Sequence, residues 1–168
     1  LFATLLSETD AHSGMYRMLN ARRPGFSFLV VYLGLDATME EIGITEYSWF
    51  IAPDMDTSTL KRKTDNRLEP EPMLAAVCLN AADPQASPEG TTILSITVGS
   101  QPAAWADVRP EDYFNEKSRI AERVIALFET VTGLNISEHI EEMEIAAPPT
   151  FARYTGSWDG RVYGYEPV

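Results

Sequence analysis

Phe26-Ser27-Phe28-Leu29-Val30-Val31-Tyr32-Leu33 is the stretch on which the fold turns. It is almost uninterrupted in aromatic, β-branched and aliphatic side chains, the composition that suits a pleated, packed surface. Pro24-Gly25 stands directly before it and breaks any helix arriving from upstream. The segment reads as a strand, and its near-continuous apolarity predicts burial on both faces.

Working outward, Met15 to Arg23 has Met15, Met18 and Leu19 on one side and Arg17 and Arg22 between them, the spacing of a short amphipathic helix. Downstream, Met39 to Gly43 reads as a helical turn or loop. Tyr47-Ser48-Trp49-Phe50-Ile51 reads as a second strand stopped by Pro53. Thr57 to Asn66 reads as a surface helix with Asp56 as its N-cap. Met73 to Leu79 is a third strand between proline-bearing flanks, and Asn80 to Gly90 is a loop by composition. Thr91 to Val98 alternates Leu94, Ile96 and Val98 with Ser95 and Thr97, so one face is buried and the other wetter.

Pro110 to Thr132 is the clearest helix. Tyr113, Ile120, Val124, Leu127, Phe128 and Val131 form its apolar stripe, Pro110 suits the first turn and Gly133 the position past the end. Ile140 to Ile145 reads as a last strand, acidic on one face. Pro148-Pro149 turns into a short helix over Thr150 to Tyr154, and a turn-rich tail follows from Gly156 to Gly164. The expectation is one α+β domain over residues 1–168. Its mostly antiparallel or mixed sheet has about five strands, with helices on one face, one of them long.

Composition narrows the function classes. The chain has 168 residues, 45% hydrophobic and 23% charged, with a formal net charge of −12. Such a surface repels phosphates, which argues against nucleic acid and anionic membranes as partners. The most apolar run falls well short of the roughly 20 residues of a membrane span. With no secretory signal pattern and one cysteine, Cys78, the expected location is a reducing cytoplasm, with any membrane contact peripheral and made through the full-length protein. Cys78 lies in an apolar run without an adjacent histidine and reads as a small buried hydrophobe. The start at Leu1 and the stop at Val168 suggest a piece of a longer protein.

Familiar catalytic signatures are absent: no glycine-rich dinucleotide or phosphate loop, no zinc-binding HExxH, no CxxC and no GxSxG elbow. His12 reads as an exposed helix-start residue and His139 as a carboxylate-stabilised histidine on an exposed strand edge. Glu138, Glu141, Glu142 and Glu144 read as a solvated face, since strand neighbours point apart. No metal site is expected. Tyr32, Tyr47, Trp49, Phe50, Phe151, Tyr154 and Tyr163 either fill the core or line an apolar pocket. Tyr32, Tyr47, Trp49 and Phe151 are the candidates for contacting a substrate.

Three pieces in order carry a family resemblance. Pro148-Pro149-Thr150-Phe151-Ala152-Arg153-Tyr154-Thr155-Gly156-Ser157-Trp158-Asp159-Gly160-Arg161-Val162-Tyr163-Gly164 resembles the segment that precedes the C-terminal flavin-contacting region in FAD-dependent oxidoreductases of the phytoene desaturase and retinol saturase type. Phe26 to Leu35 is similar to that group's S-x-F-x-V-Y-L-G-L strand, and Asp83 to Gly90 to its D-P-x-x-A-P-x-G loop. The resemblance implies a parent protein whose Rossmann part binds FAD, with this chain as the inserted substrate domain beside it. It further implies an apolar, polyene or carotenoid-like substrate and hydride chemistry done by the flavin. Arg153, Tyr154, Gly156, Tyr163 and Gly164 match the terminal motif and become the candidates for lying near the cofactor. The partners implied are the small apolar substrate and the FAD-binding domain of the same protein. The isolated chain is then expected to be inactive. Against this stand a free-standing carrier of hydrophobic ligands, with a curved sheet closed by the long helix, and an interaction or oligomerisation module.

Overall fold

The computed structural model describes residues 25–53 and 73–165, with isolated positions 14, 18, 21, 22 and 68. The predicted helix at Thr57–Asn66 lies outside the described residues, as do His12 and, apart from isolated positions, the predicted helix at Met15–Arg23. Within them the chain runs β1 (Ser27–Leu35), α1 (Met39–Ile42), β2 (Ser48–Ile51), β3 (Leu74–Cys78), β4 (Thr92–Ser100), α2 (Pro102–Trp105), α3 (Tyr113–Thr132), β5 (Ile140–Ala146) and α4 (Pro148–Thr155). Single 3₁₀ turns occupy Leu79–Ala81 and Ser137–His139. The architecture is the expected α+β fold.

The strands form one open sheet in the order β2-β3-β4-β1-β5, antiparallel at every junction. β1 pairs with β4 along its whole length, from Ser27 opposite Ser100 to Leu35 opposite Thr92. On its other side β5 pairs from Val30–Ala146 to Gly34–Glu142, and the register slips between Gly34 and Leu35.

Alternation then separates two faces. One carries Leu29, Val31, Leu33, Leu35, Leu74, Ala76, Cys78, Leu94, Ile96 and Val98, all buried. Helix α3 covers this face with Ile120, Ala121, Val124, Ile125 and Phe128. These positions follow the i, i+4 ladder of a single helical stripe. The predicted stripe needs correction at its end. Val131 is 53% exposed, because Phe128 is the last residue of α3 to reach the core.

The expected burial of β1 on both faces also needs correction. Its second face holds Phe28, Val30, Tyr32 and Gly34. Val30 is buried, Phe28 is half-buried and Tyr32 is exposed. Tyr163 of the tail covers the Phe28 end, its ring centroid 5.2 Å from that of Phe26 and 6.0 Å from that of Phe28.

Helix α4 starts at Pro148, earlier than the expected Thr150. A proline fits there because the first helical N–H has no partner to lose. Thr150 returns its Oγ1 to the Ala147 N–H at 3.2 Å while the Ala147 carbonyl accepts from the Thr150 N–H at 2.8 Å, closing the entry. Beyond α4 the tail turns at Gly160. Its φ is +81°, and a Cβ there would overlap the backbone of Pro148, so no other residue fits.

Candidate functional site

On the sheet face opposite α3, part of the apolar surface is in contact with solvent among the described residues, at Tyr32 and Phe50. Cross-strand pairing builds it. Tyr32 lies between Ser95 on β4 and Glu144 on β5, and Gly34 lies between Ile93 and Glu142. Val77 joins from β3 opposite Ser95. Tyr32, Gly34, Val77, Leu79, Ile93, Glu142 and Glu144 line a depression of about 310 Å³. Its walls are overwhelmingly apolar, and no lysine, arginine or histidine lines it among the described residues. Farther along the same face, Phe50 is 87% exposed.

A second depression, of about 530 Å³, opens beside the first around the β5 edge. Tyr32 and Glu144 line both, so the two adjoin at these side chains. Its other walls come from the start of α3 (Tyr113, Phe114, Lys117) and from α4 (Thr150, Phe151, Arg153, Tyr154). The Tyr113 hydroxyl is 2.8 Å from Thr150 Oγ1 and ties the two helices together. Lys117 Nζ donates to the Ile145 carbonyl at 2.7 Å, which protects the edge of β5, and stands 5.1 Å from the Tyr113 ring centroid. Burial lowers the Lys117 pKa, and the nearby Glu144 charge opposes that shift. Arg153 stacks over Tyr154 at 5.9 Å, and Tyr154 is 80% exposed.

The structure therefore brings Tyr32, Phe151, Arg153 and Tyr154 together at one depression. It places the other candidates elsewhere. Trp49 lies on the covered side of the sheet, edge-on to Phe128 with centroids 5.3 Å apart. Tyr47 precedes β2 and is exposed, and its carbonyl accepts from the Cys78 N–H at 2.9 Å. Gly156 ends α4 with φ +70°. Tyr163 covers the Phe28 end of the open face. The Gly164 carbonyl accepts from Gly25 N–H at 3.0 Å; the close backbone approach occurs at Gly25, since a Cβ on Gly164 would meet open space.

Gly34, Glu142, Glu144, Lys117, Val77 and Ile93 also line these depressions, none of them an expected site residue and Glu142 and Glu144 expected only as a solvated face. A signal existed for the first three. Period-two alternation puts Gly34 on the face of Tyr32, and it puts Glu142 and Glu144 on one common face rather than apart. Among the described residues no group of three or more histidine, cysteine, aspartate or glutamate side chains could hold a metal ion. His139 ends a 3₁₀ turn just before β5, with Nδ1 3.3 Å from Asp36 Oδ1. Burial raises the Cys78 pKa above the usual 9.0, so the thiol is protonated and a poor nucleophile near neutrality. No helix among the described residues is long and apolar enough to cross a membrane.

No protein-family model matches the chain. Over 173 aligned residues the chain is 25% identical to all-trans-retinol 13,14-reductase of Danio rerio. That alignment takes in 95% of this chain and 28% of the reductase, so the chain spans little more than a quarter of the relative it matches. The likeness agrees in general terms with a retinol saturase-type oxidoreductase.

Proposed function

We propose that this chain is the substrate-binding part of an FAD-dependent oxidoreductase acting on an apolar, polyene-like molecule, with the dinucleotide held by another part of the same protein. One observation carries the reading. The apolar depression of the open sheet face joins, through Tyr32 and Glu144, the depression lined by Phe151, Arg153 and Tyr154 of the terminal motif. Substrate-side and cofactor-side candidates thus lie in adjoining depressions. The matched relative, whose name is that of a retinol reductase, supports the same class of chemistry.

The residues suit one edge of a planar ring system. Aromatic faces at Tyr113, Phe151 and Tyr154 stand with the cations Lys117 and Arg153 around the second depression. No glycine-rich loop opens a helix among the described residues, and on this reading the pyrophosphate has its cradle in another part of the protein. Bound there, the flavin would supply hydride transfer, and this chain's share is to bind the substrate, orient it and exclude water.

The test is the full-length protein. Flavin absorption bands should accompany it, and Arg153→Ala and Tyr154→Ala should lower turnover or flavin retention with little change in melting temperature. Unchanged activity in both variants removes the site assignment. A protein without flavin that retains an apolar ligand is instead a carrier.

A further inference from the structure

Gly34 stands where the β1–β5 register slips, yet the backbone there does not demand a glycine. Its φ lies outside the left-handed region, and a Cβ built on it would stand 3.4 Å from Glu142 Cβ, an ordinary contact. A glycine inside a strand weakens that strand, and where the backbone does not need it, it marks a place where something else approaches. What the missing side chain creates here is the floor of the 310 Å³ depression, between Tyr32, Val77 and Ile93. Along β5 the same depression is bounded by Glu142 and Glu144, with no cation lining it among the described residues. Lys117 interacts with the Glu144 charge from the neighbouring depression.

We propose that the depression over Gly34 seats an apolar ligand without negative charge, Gly34 setting its depth and Glu142, with Glu144, refusing a carboxylate. The inference rests on reading the open face as the substrate side. An anionic ligand seated beside Glu142 and Glu144 meets like charge at close range, while an alcohol of the same length does not.

Equilibrium dialysis of the full-length protein against decan-1-ol and decanoate at neutral pH tests it. Wild type should bind the alcohol more tightly by about tenfold or more, the scale of one partly screened like-charge contact. Glu142→Gln and Glu144→Gln should each narrow that ratio. Gly34→Val should weaken decan-1-ol binding by about tenfold or more, as expected when methyl groups fill a fitted pocket. It should leave the melting temperature unchanged or raised, because valine suits a strand. Gly34→Ala should give a smaller loss and serves if the valine variant does not fold.

Equal binding of the two probes, no binding of either, or wild-type affinity in both Gly34 variants overturns the proposal. Flavin absorption, read on the same samples, reports separately on the oxidoreductase assignment. A flavin-free protein with the predicted selectivity sinks that assignment and leaves the seat over Gly34 standing.

Discussion

Ser27 Oγ donates a hydrogen bond of 2.6 Å to the carbonyl oxygen of Gly160, and the bond is buried. It joins the first residue of β1 to the turn of the terminal tail. Around it the Gly25 N–H donates to the Gly164 carbonyl, and Tyr163 packs on Phe26 and Phe28. Asp159 and Arg161 form a two-point ion pair in the same turn, with 2.8 and 2.7 Å contacts. The tail is thereby fastened to the strand whose open face carries the candidate site.

Removing the hydroxyl should cost more than the bond itself is worth. Ser27→Ala leaves a buried carbonyl without its donor, and the expected loss is about 1–3 kcal/mol. Gly160→Ala should destabilise at least as much, because the added methyl meets the Pro148 backbone at a positive φ. Gly164→Ala, with open space around it, should be close to neutral. Urea melts of the three variants check the ranking. A neutral Gly160→Ala would show that the tail is not docked against α4.

A second contrast lies on α3. Phe128 is fully buried and meets Trp49 edge-on, so Phe128→Ala should lose about 3–5 kcal/mol. Val131 belongs to the same apolar pattern in the sequence but is half exposed, and Val131→Ala should fall within about 0.5 kcal/mol of wild type. Equal losses would mean that the last turn of α3 packs as deeply as its middle.

Cys78 should resist alkylation. It is buried on the covered face of β3, and burial holds its proton on. Iodoacetamide at neutral pH should leave the native protein unmodified and label it fully once unfolded in urea, as intact mass will report. Rapid labelling of native protein would contradict the placement of β3 in the sheet.

How much of this was legible in the sequence depends on what each residue's signal reports. Alternation at Leu94, Ile96 and Val98 named the buried face of β4 directly, and the 3.6-residue stripe with Gly133 past its end located α3. In Tyr47-Ser48-Trp49-Phe50-Ile51, by contrast, aromatics occupy both parities. Only tertiary packing decides that Trp49 meets Phe128 while Phe50 faces outward. The site was half legible. Arg153 and Tyr154 stood out through a motif, whereas Gly34, Glu142 and Glu144 become a site only when β5 pairs with β1, a contact more than a hundred residues long in sequence. Helix α2, four residues over Pro102–Trp105, has too short a pattern to be read and is held by tertiary contacts, with the Trp105 indole donating to Ser100 Oγ at 2.9 Å.

Lys117 gives the pH dependence a definite sign. Burial depresses its pKa in the folded state below the usual 10.5, the Glu144 charge only partly opposing this. In the window between that depressed value and 10.5 the unfolded chain binds more protons than the folded one, so this group's contribution to stability rises with pH there. Below the folded-state pKa the cost of burying the charged amine is present in full; as pH climbs through that value it is relieved. The neutral amine still has N–H groups for the Ile145 carbonyl, so the edge of β5 keeps its cover. Lys117→Met preserves the stem and removes the titration. The stability of wild type relative to this variant should therefore increase from neutral toward alkaline pH, as measured by urea melts across that range. A difference that stays flat, or that falls as pH rises, would show that the Lys117 amine is as well solvated in the fold as in the unfolded chain.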